Sequence, residues 1–165
     1  MRWATLWGLL HTAGWSVHLG GAVAMELVWR PVQRHIPGSQ TAVVCQTMGR
    51  RYRWLSAIAL GLVGLSGVAR LVQRGELDLT SPYGRTVVAL SVVWLVLVAT
   101  LALLAVVAHP ALHVRTPASM TDEERAAARH EVRRAIERMD RLLRFELAAS
   151  LLAVLLGASL TAGGL

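Results

Sequence analysis

The chain has 165 residues, 55% of them apolar, and a formal charge of +7 supplied by 17 arginines and no lysine. That length is one domain's worth of material, and its mean hydropathy of +0.49 is high for a soluble domain. A single cysteine, Cys45, excludes an internal disulfide and any multi-cysteine zinc or iron–sulfur centre.

Taken in chain order, the apolar residues gather into runs long enough to cross a hydrocarbon core of roughly 30 Å, which needs about 20 residues of helix. The first, 6–28, is interrupted by His11 and His18 and carries Trp7 and Trp15, with Trp3 and Trp29 flanking it. Trp3, Trp7 and Trp29 fall where indole rings settle at membrane interfaces, whereas Trp15 should face another helix or a bound group. The run is long and contains histidine, so we read it as a retained span rather than a cleaved leader. Pro31 and Pro37-Gly38 then break a loop that extends to Arg53. The second span, 54–72, places Ser56, Ala57, Gly61, Gly64 and Gly67 at spacings that let neighbouring backbones approach closely, with Arg70 snorkelling to the interface. A short turn leads to the third span, 86–108, which ends at His109-Pro110.

Thr121 and Glu124 form a capping box. After them Ala128, Val132, Ile136, Met139 and Leu143 recur at helical spacing as one apolar stripe among Arg and Glu. The segment 121–146 is therefore either an amphipathic helix on the membrane surface or an inward extension of the fourth span, 147–165. The expected fold is an all-α integral membrane protein, one domain over 1–165: a four-transmembrane-helix bundle with this added amphipathic helix or helix extension.

Arginine asymmetry orients the bundle. Thirteen arginines fall in the two large connections and four on the opposite side, which places the connections in the cytoplasm and both termini outside. The arginine-rich face should contact anionic lipid head groups. Homo-oligomerisation or membership of a larger membrane complex is open. No nucleotide-binding loop, Ser–His–Asp arrangement or nucleic-acid motif is present, so no nucleic-acid partner is expected.

An ionisable residue inside a bilayer is a functional candidate by default, and the first span holds His11, His18 and Glu26. His11, His18 and Met25 are seven residues apart and share one stripe of the helix, about 10.5 Å per step. Imidazole and thioether are natural copper ligands, and a histidine here could also be an axial haem ligand. A bis-histidine haem is disfavoured, because the other spans carry no histidine at the depth of His18. The packing alternative is that each histidine bonds a neighbouring helix and Met25 fills the core. At the cytoplasmic end His109 and His113 have the i, i+4 spacing of a metal pair, and His35 and Glu26 could join them. Glu26 and Arg30 have the spacing of an ion pair. His130 lies among charges and is expected to be solvated.

The order of several segments resembles a known family. Leu10-His11 with His18-Leu19-Gly20-Gly21 is followed by Arg50-Arg51-Tyr52-Arg53-Trp54-Leu55, then Gly64-Leu65-Ser66-Gly67, Ser81-Pro82-Tyr83-Gly84-Arg85 and Arg141-Leu142-Leu143-Arg144-Phe145-Glu146. Together these resemble the membrane domain of the copper-resistance protein D family, multi-span proteins of the bacterial inner membrane. The resemblance implies binding or movement of copper, here through His11 and His18. Leu10-His11 and the Arg30–His35 stretch are also similar to HemJ-type protoporphyrinogen oxidases, which implies haem b and a membrane oxidoreductase. A cofactor-free structural subunit of a larger membrane complex is the third expectation.

Overall fold

The computed structural model describes residues 3–33, 35–36, 38–75, 78–108 and 121–161, and every regular element among them is helical. Helix α1 (Trp3–Ala24) passes through a π-helical turn, Met25–Trp29, into the short α2 (Arg30–Gln33). Helices α3 (Gly38–Arg74), α4 (Pro82–Leu103) and α5 (Asp122–Thr161) follow, and α4 closes in a second π-helical turn, Leu104–Ala108. The first π-turn adjoins Pro31, whose missing N–H disrupts regular i→i−4 bonding. α1 packs chiefly on α3 and α4 chiefly on α5, with lighter contacts joining the two pairs. His11 lies beside Ser66 and Gly21 beside Tyr52, so α1 and α3 run antiparallel. His18 meets Ser150 and Arg30 meets Asp140, so α1 and α5 do too.

Three helices are long and apolar enough to cross a bilayer: Val43–Arg74, Pro82–Val106 and Asp122–Leu160. α1 is not among them, although its 22 residues reach about 33 Å. Its two histidines, with Thr, Ser, Gly and Trp around them, leave it without a stretch as apolar as the one each of the other three contains. Three of the four long helices therefore hold a membrane-length apolar stretch, and α1, equal to α4 in length, does not.

Two segments are more helical than expected. The connection read as a loop up to Arg53 is α-helical from Gly38 onward, because no proline intervenes between Pro37 and Pro82. The amphipathic segment and the last apolar run form one continuous helix, Asp122–Thr161, with no proline or glycine before Gly157. The 121–146 stretch is thus a helix extension. At 37 and 40 residues α3 and α5 are each about 55–60 Å long, nearly twice a bilayer core.

Helix ends follow local chemistry. Ser81 caps α4 by accepting from the Gly84 amide at 3.0 Å, with Pro82 at the first helical position. The Thr121 amide donates to Glu124 at 2.7 Å and the Glu124 amide donates back to the Thr121 hydroxyl at 3.3 Å, completing the capping box. Gly75, at φ +86°, ends α3 in the left-handed region that glycine adopts without penalty.

The bundle buries polar groups and exposes apolar ones. His18, Ser66, Thr86, Glu146 and Ser150 are all at 0% exposure, while Leu65, Val72 and Leu155 stand at 71%, 75% and 68%. Two apolar clusters bracket His18, Glu146 and Ser150. One holds Leu60, Leu97, Leu101 and Ala149, flanked by Trp15 and Trp94. The other, toward the arginine-rich end, holds Met25, Cys45, Tyr52, Leu104, Met139 and Leu143.

Candidate functional site

His18 occupies the inward face of α1 between the two apolar clusters. Its Nε2 lies 3.1 Å from the Ser150 hydroxyl of α5, and Trp15 meets its ring edge-on at a centroid distance of 5.9 Å. Ser150 gives its one hydroxyl hydrogen to the backbone carbonyl of Glu146, at 2.7 Å. The serine hydroxyl is thus within reach of both the imidazole and the α5 backbone, and links the ring to that helix. On the other side of the ring Nδ1 is buried without a hydrogen-bond partner.

Glu146 is one turn before Ser150 and on the same face of α5, which brings its Oε1 to 4.0 Å from His18 Nε2. Both carboxylate oxygens are buried without a hydrogen-bond partner, as is the Tyr52 hydroxyl. Tyr52, from α3, is oriented toward Glu146 and Ser56 but bonds neither at full geometry. Buried polar atoms are almost always satisfied, because an unsatisfied one costs about 1–3 kcal/mol and more when charged. Here four such atoms from three helices, His18 Nδ1, Tyr52 Oη and both Glu146 oxygens, gather in one layer of the bundle.

His11 stands in a different environment nearer the α1 start. Its Nδ1 is 3.1 Å from the Val63 carbonyl and 3.1 Å from the Ser66 hydroxyl. A carbonyl only accepts, so this ring is protonated on Nδ1 and its lone pair sits on Nε2. The two histidines are thus held through different ring nitrogens, His11 through Nδ1 by α3 and His18 through Nε2 by α5. They share the interior stripe, yet the structure does not bring them to a common ligand. Met25, third on that stripe, is buried in the lower apolar cluster. Among the described residues, no three His, Cys, Asp or Glu side chains gather into one cluster. The cavity lined by Met25, Gly49, Tyr52, Leu104 and Met139 measures about 10 Å³, room for one water and far short of a porphyrin.

At the arginine-rich end the expected Glu26–Arg30 pair forms. Arg30 also reaches Asp140 at 3.3 Å, and Arg144 reaches Glu26 at 3.7 Å, tying the first helix to the last. His35 does not join Glu26; its Nδ1 donates to the Pro31 carbonyl at 2.9 Å. His130 is exposed. His109 and His113 lie outside the described residues, and so does the metal pair expected of them.

Beside the first-span residues His11, His18 and Glu26, the structure adds Glu146 of α5, which is as buried within the helices as His18. The available signal was that Glu146 and Ser150, four apart, share a face with Ala149 and Ala153, the small buried side of α5. Comparison of the chain with family models, with curated proteins and with solved structures returns no match.

Proposed function

We propose that this chain is an integral protein of the bacterial cytoplasmic membrane. It spans the bilayer four times with both termini outside, and binds copper or another redox metal through His18. The observation that carries the reading is a fully enclosed imidazole with an unpartnered Nδ1, beside a fully enclosed carboxylate, inside helices whose outer faces are apolar. Groups of this kind in hydrocarbon are costly and mark ion or cofactor sites. Exposed apolar faces suit lipid, and the arginine distribution supports the orientation, with the arginine-rich end against anionic head groups. The polar stripe of α1 does not prevent it from spanning, because His11 and His18 are turned toward α3 and α5.

Copper is the cargo implied by the resemblance to the copper-resistance protein D family, and a neutral imidazole nitrogen suits it. His11 Nε2 and His18 Nδ1 would act as separate ligands along the first helix, with Met25 contributing packing. The deciding measurement is the copper content of protein purified in lipid after copper loading. We expect wild type to retain copper, His18→Ala to lose it and His11→Ala to retain the His18-bound ion. Equal copper in wild type and His18→Ala would overturn the reading.

A further inference from the structure

We propose that Arg50 and Arg53 of α3 form a site for the head-group phosphate of one anionic phospholipid of the inner leaflet. The proposal rests on the reading above that the arginine-rich end meets anionic head groups, and it says which arginines hold a lipid and which do not. The two helices that extend furthest at that end are charged differently. Between Asp122 and Glu146, α5 carries seven arginines and seven acidic residues, whose formal charges cancel. Several of its cations are engaged accordingly: Arg125 with Asp122, Arg133 with Glu137 and Arg144 with Glu26. Arg30, following the first helix, is likewise held between Glu26 and Asp140. Helix α3 contains no acidic residue over its 37 positions. Among the described residues, no carboxylate lies within ion-pair distance of Arg50, Arg51 or Arg53.

Arg50 and Arg53 are three positions apart, on one face of α3, and repel one another. Arg50 is exposed and Arg53 half-buried. The Arg53 guanidinium folds over Gly49, where an added Cβ would stand 3.6 Å from its Nη1, and it borders the small cavity lined by Met25, Tyr52, Leu104, Met139 and Leu143. A cation held against apolar side chains beside a second cation is stabilised by an anion, and α3 supplies none. Two guanidinium groups present the forked N–H donors that phosphate oxygens accept. Depth decides the source of that phosphate. Arg53 and Arg74 are about 32 Å apart along α3, which matches a hydrocarbon core of roughly 30 Å. Arg50 and Arg53 therefore stand at the level of the inner head groups. Trp54, one turn from Arg50 on the same face, is 67% exposed at the depth where indoles settle. Beyond it Ala57, Ile58 and Gly61 are exposed toward the acyl chains.

The test is native mass spectrometry of the full chain in detergent, titrated with phosphatidylglycerol or with phosphatidylcholine of the same acyl chains. Wild type should retain one phosphatidylglycerol per chain in preference to phosphatidylcholine. Arg50→Gln, at an exposed position, should weaken that binding about fivefold, and Arg50→Gln/Arg53→Gln about 25-fold. Arg141→Gln/Arg144→Gln removes the same charge from α5 at the same end of the bundle, and should change the binding by less than about twofold. Equal losses in the two double variants would overturn the proposal while leaving the arginine-rich end against the head groups. No preference for phosphatidylglycerol in wild type would overturn both the proposal and the head-group reading. Release of the bound lipid by millimolar inorganic phosphate would make free phosphate the occupant and overturn the lipid assignment.

Discussion

Replacement of Gly64 by alanine tests the tightest crossing between α3 and α4. A Cβ at this position would stand 2.6 Å from Cζ2 of Trp94 and 3.1 Å from its Cε2. The indole cannot swing aside freely, because its Nε1–H donates to the Leu60 carbonyl at 3.0 Å. Overpacking of this kind costs about 1–3 kcal/mol, and loss of the indole hydrogen bond adds about 0.5–1.5 kcal/mol. Against this stands a gain of up to about 1 kcal/mol for removing glycine from a helix interior. The expected net effect is a destabilisation of about 1–3 kcal/mol. Gly61→Ala is the internal control: nothing lies within 4 Å of its added Cβ, so only the helix-propensity gain remains. Thermal unfolding of both variants in one detergent, followed by tryptophan fluorescence, separates them. A Gly64→Ala protein as stable as Gly61→Ala would refute the close approach of Trp94 to the α3 backbone.

Ser81→Ala should cost about 0.5–2 kcal/mol by uncapping α4, seen as faster amide hydrogen exchange at Gly84, with Ser81→Asp preserving protection. Asp78, in the turn before α4, accepts hydrogen bonds from the Thr80 hydroxyl and then its amide, and these hold its carboxyl below the ordinary value of 3.8. Its folded-state value is depressed, so the turn's stabilisation is fully present above pH 3.8 and is lost as pH falls through the lower folded value. The Thr80 amide resonance should follow that titration, and Asp78→Asn should abolish it. Topology is checked in a Cys45→Ala background carrying Asp78→Cys or Arg129→Cys, both exposed positions. An impermeant maleimide should label the first in intact cells and the second after permeabilisation, and the reverse order would invert the proposed orientation.

The features legible from sequence were those whose cause is local. The capping box at Thr121 and the Glu26–Arg30 pair each involve residues within four positions of one another. The inward turn of His11, His18 and Met25 was legible because helical periodicity alone aligns them. Helix lengths were read too short where charge was taken as the end of an element. In α3 and α5 the charged stretches continue the same helix, since nothing in them breaks backbone hydrogen bonding.

Composition, periodicity and charge asymmetry by themselves determined an all-helical chain with long apolar segments and a histidine-bearing first helix, because each depends on residues close along the chain. Only the tertiary structure decided which groups those histidines meet. His18 and Ser150 are 132 positions apart, and no one-dimensional pattern reports the rotation of α5 that turns Glu146 and Ser150 toward Nε2. The different surroundings of the two histidines have the same origin. A carbonyl and a serine on α3 face one ring and a serine on α5 faces the other, and the helices that supply them meet only in the packed bundle.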